Sequence, residues 1–245
     1  MRTWWHELRG LVIAALVIGV WAGSLVVLLS RPPGSLPIGL WPLGIAWMTF
    51  LYTGLFITAH DAMHGSIWRG HRQVNAWIGR IVMLVYALLP YDKLRAKHFQ
   101  HHKTPGRPQD PDYHSEQDGR LVPWYLHFMR NYVTIGQLVG MAVVFNVLLL
   151  VVRVPVTNLI VFWAVPSLLS TVQLFVFGSY LPHREPEGGY TNRHHAQSND
   201  YPVWLSLLTC YHFGYHLEHH LYPNVPWWQL PRKRLSSQKQ AMASS

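Results

Sequence analysis

Charged residues are scarce in this chain. They make up 13% of the 245 residues, whereas hydrophobic residues make up 50%. An average soluble domain carries about 25% charged residues. A water-soluble protein of this length would struggle to hide so much apolar chain, so the composition disfavours a soluble globular enzyme and a disordered protein.

Cysteine is almost absent, because Cys210 is the only one. A lone cysteine excludes internal disulfides and cysteine-rich zinc sites, and it is typical of a reducing compartment. The length fits one domain or two small ones. We predict a single domain over 1–245, with the histidine-rich region at about 50–231 and a disordered tail at 236–245.

Long uncharged runs predict the fold class. About twenty apolar residues are needed to cross a bilayer as a helix. The first run follows two arginines but is too long for a signal peptide, and therefore reads as a membrane anchor. A shorter stretch at 74–91 contains Arg80 and predicts an interfacial or partly re-entrant helix. We expect an all-α integral membrane protein with interfacial helices, a cytoplasmic helical cap and four transmembrane helices at 11–30, 38–59, 132–152 and 154–181.

The net charge of +9 comes from basic residues that are unevenly distributed. Arg31 and Arg153 lie in the predicted outer loops, and the other eighteen of the 20 basic residues lie in the N-terminus, the 60–131 segment and the 182–245 segment. The positive-inside rule therefore predicts that the N-terminus, these segments and the C-terminus are cytoplasmic. The basic residues are expected to face lipid headgroups, and nothing favours nucleic acid.

Histidine is abundant, with 16 residues, and much of it is clustered. Three boxes contain residues three or four apart, a spacing that shares one face of a helix, so each box is expected to aim its imidazoles at one point. His183 follows the fourth predicted span. The boxes are His60–His64, His98–His101–His102 and His216–His219–His220.

Eight or nine imidazoles on one side of a membrane predict a metal centre. One tetrahedral zinc ion needs only three or four ligands, so the number suits two ions with open positions for oxygen. Iron is the natural candidate for oxygen chemistry at a nitrogen-rich site, although other metals remain open.

Neighbouring polar residues have more ambiguous roles. Asp61 and Glu218 lie inside boxes and are interpreted as outer partners that orient imidazoles, with a solvated carboxylate as the alternative. His212 lies four residues before His216 and could be a tenth ligand or an outer partner; we favour the latter. Six other histidines are interpreted as surface residues: His6, His71, His114, His127, His194 and His195.

The boxes resemble those of the membrane fatty acid desaturase/hydroxylase superfamily. Longer strings are similar to bacterial and cyanobacterial carotenoid ketolases of the CrtW type. These strings are HDAMHGSI at 60–67, HFQHHKTPGRPQDPDYH at 98–114, FGSYLPHRE at 177–185 and YHFGYHLEHHLYPNVPWWQLP at 211–231. The resemblance implies that the eight box histidines hold two iron ions, with His183 as a ninth ligand.

The same resemblance implies an activity. It would be oxidation of the C4 methylene of a β-ionone ring to a ketone, through two hydroxylations and a dehydration. The implied co-substrate is O2, the electrons would come from a donor such as reduced ferredoxin, and the carotenoid would arrive from the membrane lipid. Phe56, Tyr91, Phe175 and Phe177 could line the apolar slot between helices through which the carotenoid enters, or they could simply face lipid or pack in the bundle.

Other functions remain open at this point. A carotenoid hydroxylase or an acyl-lipid desaturase would share the same ligands. A membrane zinc metallohydrolase is possible because His60-Asp-Ala-Met-His64 resembles the H-E-x-x-H pattern, but that site needs only one more ligand. A metal transporter would place its ligands near mid-span, whereas these histidines lie at span ends or beyond.

Overall fold

The computed structural model describes residues 4–114 and 119–244, with side chains over 8–114 and 119–239. Within these ranges all regular structure is helical, which confirms the all-α prediction. Short 3-10 turns at Ile38–Leu40 and Trp227–Gln229 precede two of the helices. In chain order the helices are α1 (Trp4–Leu29), α2 (Trp41–Met63), α3 (Arg72–Ala87), α4 (Tyr91–Lys103), α5 (Leu121–Tyr132), α6 (Ile135–Val151), α7 (Val156–His183), α8 (Val203–Cys210), α9 (His216–Leu221) and α10 (Leu230–Ser244).

Three helical segments are long and apolar enough to cross a membrane, namely Leu8–Leu29, Ile38–Met63 and Val156–His183. Two further pairs are bent: α3 meets α4 at 104°, and α5 meets α6 at 84°. The chain thus has three candidate spans, or up to five if each bent pair crosses as one, as expected of a membrane protein. The predicted third span corresponds to α6, and the predicted interfacial stretch corresponds to α3.

Helices α1, α2 and α7 are held together at both ends. A Cβ added to Gly10 would lie 2.0 Å from the carbonyl oxygen of Ile67, so the start of α1 touches the chain just beyond α2. At the other end, Asn158 Nδ2 donates to the carbonyl oxygens of Leu28 at 3.2 Å and Arg31 at 2.9 Å. The C-terminal ends of α2 and α7 therefore lie on the same side of the bundle.

Helix α2 is the central helix, because its second half is almost entirely buried. Thr53 Oγ1 donates to Gln173 Oε1 at 2.7 Å, and Gln173 Nε2 donates to the carbonyl of Thr209 at 2.6 Å. These bonds link α2 through α7 to α8. Gly54 permits close packing, since a Cβ there would lie 2.4 Å from Tyr211 Oη.

Helix α7 contains two π-helical turns, and a proline follows each turn closely. Pro166 follows Leu159–Ala164, and Pro182 follows Val176–Tyr180. Proline has no N–H and its ring clashes with the preceding turn, so a locally wider helix accommodates it. Pro166 therefore lies beside a widened turn in a helix that continues to His183.

The C-terminal helix packs back onto the histidine-rich end of the bundle. Arg234 Nη1 on α10 donates to Glu218 Oε1 on α9 at 3.3 Å. The backbone of α10 is helical through Ser244, and this helix includes most of the stretch that the sequence predicted as a disordered tail.

Candidate metal centre

A first group of five histidines comes from α2, from the residue directly after α2, from α4 and from α9. Their ring nitrogens all lie within 4.8 Å of one another. The Nε2 atom of His98 lies 2.7 Å from that of His64 and 3.1 Å from that of His102. The Nε2 atom of His219 lies 2.9 Å from that of His102 and 3.2 Å from that of His60. We call His60, His64, His98, His102 and His219 the first cluster.

Four buried histidines form a second group beside the first. His220 Nε2 lies 3.2 Å from His101 Nε2 and 3.1 Å from His216 Nε2. The Nε2 atom of His183 is buried without a hydrogen-bond partner among the described residues, although its ring lies 4.8 Å from that of His216. We call His101, His183, His216 and His220 the second cluster. The two clusters together contain all nine histidines that the sequence selected.

Each H-x2-H-H box is divided between the clusters, so the expectation that a box aims at one point was wrong. His98 and His102 belong to the first cluster, while His101 belongs to the second. In the C-terminal box, His216 and His220 share the second cluster and His219 belongs to the first. Adjacent residues on a helix point about 100° apart, whereas residues four apart differ by about 40°. One box can therefore serve two centres.

The short distances between Nε2 atoms fit a bound metal ion. A neutral imidazole has only one N–H, so a ring nitrogen such as His98 Nε2, which meets two other ring nitrogens, cannot be satisfied by hydrogen bonds alone in a closed cluster. Ligands about 2.1 Å from one ion stand about 3.0–3.4 Å apart in tetrahedral or octahedral geometry, close to the observed spacing. Both clusters therefore have donor sets that could hold a metal ion.

Two imidazoles have their tautomer defined by partners outside the clusters. His101 Nδ1 donates to Asp110 Oδ1 at 2.9 Å and Oδ2 at 3.0 Å. His183 Nδ1 donates to the carbonyl oxygen of His195 at 2.7 Å. With the proton on Nδ1, each Nε2 presents a lone pair toward the second cluster, as metal ligation requires.

Burial keeps the imidazoles of α9 neutral. Removal from water, reinforced by neighbouring imidazoles, lowers the pKa of His216, His219 and His220 well below the ordinary value of 6.5. Burial alone would raise the pKa of Asp110, but hydrogen bonds from His101 and from backbone amides hold it below its ordinary value. The site thus combines neutral ligands with an ionised carboxylate behind one of them.

The two box carboxylates are both buried, so neither is the solvated residue of the alternative interpretation. Asp61 Oδ1 lies 3.5 Å from His60 Nδ1, and Asp61 Oδ2 accepts from the Trp227 amide at 3.1 Å. Glu218 instead accepts from Ser198 Oγ and Arg234, so it holds α9 in place without touching an imidazole nitrogen.

His212 does not share a helical face with His216. It lies in the turn between α8 and α9 with φ of 63°, and Tyr211 before it has φ of 49°. Its ring stacks 5.9 Å from Tyr215, and it belongs to neither cluster. The prediction assumed one helix from His212 to His216, but the chain forms a turn there, in which two consecutive residues have a left-handed backbone conformation.

Three functional neighbours were missed from the sequence: Asp110, Asp112 and His195. Asp110 also accepts from the amides of Gly106 at 2.8 Å and Asp112 at 2.9 Å. The available signal was the Asp-Pro-Asp string that follows the second box. His195, interpreted as a surface residue, contributes through its backbone carbonyl, which no side-chain pattern reveals. The side chain of His6 lies outside the described residues.

An apolar cavity of about 490 Å³ adjoins both clusters. His60, His98 and His101 form part of its wall, and residues of α2, α6 and α7 form much of the remainder. Of the four aromatic residues considered from the sequence, Phe56 lines this cavity, whereas Tyr91, Phe175 and Phe177 are not among its lining residues. Burial of Asp112, which also lines it, raises the pKa of that carboxyl to about 6.

The chain is similar in sequence to several ketolases. A beta-carotene ketolase of Paracoccus sp. (strain PC1) is 45% identical over 193 residues, which cover 78% of this chain and 77% of the relative. A beta-carotene ketolase of Haematococcus lacustris is 43% identical over 77% of this chain and 61% of its own length. A zeaxanthin 4-ketolase of Chlamydomonas reinhardtii is 38% identical over 97% of this chain, which spans only 56% of that relative.

A family model covers the chain from α2 into α10. The model described as Fatty acid desaturase matches residues 34–140 and 130–241, a region that contains every member of both histidine clusters. Family membership and the buried histidines are together compatible with a metal centre. The resemblance inferred from the three boxes is confirmed, and the chain belongs to the fatty acid desaturase family.

Proposed function

We propose that this chain is a carotenoid ketolase that converts the C4 methylene of a β-ionone ring to a ketone, taking β-carotene to echinenone and canthaxanthin. The observation that carries the proposal is a pair of histidine clusters that forms part of the wall of an apolar cavity. Identities of 38–45% to ketolases support the choice of substrate. An apolar cavity beside the metal ligands suits the hydrocarbon skeleton of a carotenoid ring.

The nine clustered histidines are the proposed ligands of two iron ions, five at one ion and four at the other. When bound, the iron pair would supply activation of O2 with two external electrons for each oxidation. Outer partners keep the ligands oriented: Asp110 and the His195 carbonyl act directly on imidazoles, and Asp61 lies close to His60. Glu218 and His212 act at most indirectly, through the packing of the chain around α9.

The overall chemistry balances in two stages. In the first, the C4–H bond becomes C4–OH; one O2, two electrons and two protons are consumed and one water is released. The second oxidation of the same carbon consumes the same reagents and gives a geminal diol. The diol loses water and leaves the ketone. An allylic C–H bond is weaker than that of an ordinary alkane, which favours C4 over the non-allylic methylene carbons of the ring.

The protein's own task is to position the ring and to exclude water. Tyr86 is tied by its hydroxyl to Ser170 Oγ at 2.5 Å, so it presents an apolar ring to the cavity. Phe213 lines the cavity beside the first cluster, and its ring centroid lies 4.5 Å from that of His60. A dry wall of this kind protects reactive oxygen chemistry from side reactions.

The proposed membrane arrangement follows the basic residues. Four spans, formed by α1, α2, α6 and α7, would leave the N-terminus, the histidine clusters and the C-terminus in the cytoplasm. A soluble donor such as reduced ferredoxin could then deliver electrons to the clusters, while the carotenoid enters from the lipid. Nothing in this scheme requires nucleic acid.

Production of ketones in cells that make β-carotene tests the proposal. Expression in such bacteria should shift the pigment from yellow to orange-red, with echinenone and canthaxanthin identified by chromatography. The same expression of His219→Ala should leave β-carotene unchanged, and His71→Ala, which alters an exposed histidine outside both clusters, should behave like the wild type. Hydroxylated carotenoids without ketones would identify a hydroxylase, and altered fatty acids with unchanged pigment would identify a desaturase.

Metal analysis distinguishes the proposed di-iron enzyme from a zinc metallohydrolase. A zinc metallohydrolase built on His60 and His64 would need one further ligand, whereas seven other clustered histidines surround that pair. Two iron ions per purified chain are expected. One zinc and no iron per chain would refute the di-iron proposal.

A further inference from the structure

Among the described residues, Asp112 is the one carboxylate of the cavity wall, whose surroundings are otherwise mainly apolar. It lies beside the second cluster, with Oδ2 3.7 Å from His101 Nδ1. His60, His98 and His101 line the same cavity. Asp112 therefore stands where the reacting end of a bound ring has to lie if the proposed function is correct.

The Asp112 side chain is held in a fixed orientation. The backbone amide of Asp112 donates to Asp110 Oδ1 at 2.9 Å, and its backbone carbonyl accepts from Trp124 Nε1 at 2.6 Å. The Tyr132 hydroxyl donates to Oδ1. Lys97 Nζ lies 4.9 Å above the Tyr132 ring, which anchors the tyrosine in turn. A group secured at its amide, its carbonyl and one oxygen is pre-organised for a ligand.

In the part of the chain that the structure describes, the second carboxylate oxygen of Asp112, Oδ2, lacks a hydrogen-bond donor such as the one that Tyr132 provides to Oδ1. Among the described residues, no donor reaches Asp112 Oδ2 within hydrogen-bond distance, since 3.7 Å from His101 Nδ1 is too long. Asp112 lines an apolar cavity, where a carboxylate oxygen loses hydration, and this loss is costly unless a donor replaces the water. A plain hydrocarbon ring offers no such donor, whereas a ring that carries a hydroxyl does.

We propose that Asp112 Oδ2 accepts a hydrogen bond from a hydroxyl on the substrate ring and thereby makes the cavity selective for hydroxylated rings. This inference rests on the proposed carotenoid function and names a finer specificity within it. The hydroxyl has two sources: the C3 hydroxyl of a ring hydroxylated beforehand, or the C4 hydroxyl left by the first oxidation. Both groups lie on or next to the reacting carbon.

The C4 source has a consequence for the product. A half-oxidised ring that gains a hydrogen bond to Asp112 leaves more slowly, and its remaining C4–H stays beside the metal ligands for the second oxidation. The same hydrogen bond turns the C4 hydroxyl toward the carboxylate and the remaining C4–H away from it. Asp112 would thus favour release of the ketone over release of the alcohol.

Equilibrium binding to the iron-loaded enzyme without O2 tests the proposal directly. Quenching of tryptophan emission would report the affinities for β-carotene, a 3-hydroxylated β-ring carotenoid and 4-hydroxy-β-carotene. Asp112→Leu, which is similar in size, should weaken binding of at least one hydroxylated ring about ten- to hundredfold while β-carotene binds equally well or better. Asp112→Asn should give a smaller loss of the same sign, because its amide oxygen still accepts.

The two sources of the hydroxyl predict different changes in affinity. Weaker binding of the 3-hydroxylated carotenoid alone would identify the C3 hydroxyl as the donor to Asp112. Loss for 4-hydroxy-β-carotene, with accumulation of that alcohol from β-carotene under turnover, assigns the C4 hydroxyl. Equal affinities of variant and wild type for all three carotenoids, or an equal loss for all three, would overturn the proposal.

Controls separate this inference from the proposed function. Asp92→Asn alters an exposed carboxylate that is paired with Arg80, and it should bind all three carotenoids like the wild type. Iron content and melting temperature show whether each Asp112 variant is folded and loaded. A wild type that binds hydroxylated rings selectively but makes no ketone would refute the proposed function and leave the role of Asp112 intact.

Discussion

Replacement of Asp110 by asparagine should weaken the binding of one of the two proposed metal ions. The Asp110 carboxylate is buried and accepts from His101 Nδ1 and from the amides of Gly106 and Asp112, all at 2.8–3.0 Å. Asparagine has nearly the same shape, but it carries no charge, and its amide nitrogen is a donor that faces other donors. The substitution therefore removes the ionic acceptor while it leaves the packing almost unchanged.

The expected size follows from these contacts. A hydrogen bond to a charged group contributes about 1.5–3 kcal/mol, and loss of an outer partner of a ligating histidine lowers metal affinity about 10- to 100-fold. Because Asp110 contacts His101, the second cluster should weaken, while the first cluster should keep its ion. Titration of the iron-loaded variant with a chelator should show a plateau near one iron per chain before the second is removed.

Asp200→Asn is the matched control, because Asp200 is an exposed carboxylate that pairs with Arg234 and touches no imidazole nitrogen. It should lose iron at the same chelator concentration as the wild type. Loss of both ions from Asp110→Asn at the wild-type chelator concentration would refute the reasoning, since the carboxylate would then contribute nothing to the affinity of the second cluster.

Three further outcomes are expected. His98→Ala or His219→Ala should abolish ketone formation while the protein still inserts into the membrane, and His114→Ala should be nearly silent, as pigment chromatography and membrane fractionation can show. Removal of iron by a strong chelator should lower the melting temperature, because bound ions stabilise only the folded state in which the ligands converge. Gly54→Ala should destabilise the fold by about 1–3 kcal/mol, because the new Cβ would lie 2.4 Å from the hydroxyl of Tyr211.

These outcomes have their own controls. Gly19→Ala places a methyl group where nothing lies within 4 Å, so its melting temperature should equal or exceed that of the wild type. A stable Gly54→Ala variant would mean that Tyr211 can move away without cost. Full activity in both His98→Ala and His219→Ala would contradict the ligand assignment, and an unchanged melting temperature after chelation would separate metal binding from folding.

Local patterns in the sequence were sufficient for the membrane class and for the choice of histidines. Hydropathy over about twenty residues predicts a span without knowledge of its neighbours, and α1, α2 and α7 agree with three of the predicted runs. Residues three or four apart in a helix are neighbours by backbone geometry alone. That spacing selected the eight box histidines, and His183 was selected by its place after the fourth predicted span; all nine lie in the two clusters.

Local reasoning failed where the chain turns. The helical spacing assigned to His212 required a continuous helix, but Tyr211 and His212 both have positive φ, and the helix begins only at His216. The outer partners were missed for a similar reason. Asp110 reaches His101 through a loop nine residues away, and His195 contributes a carbonyl oxygen rather than its ring.

The amino-acid sequence by itself determined that this is a histidine-rich membrane protein of the desaturase type, because apolar length, charge asymmetry and helical spacing are properties of short stretches of chain. Only the tertiary structure decided how nine imidazoles divide into groups of five and four, which carboxylate backs His101 and that Asp112 lines the cavity. Those features depend on the packing of α2, α4, α7 and α9 against one another. Contacts between residues far apart in the chain are set by that packing, and no local pattern encodes them.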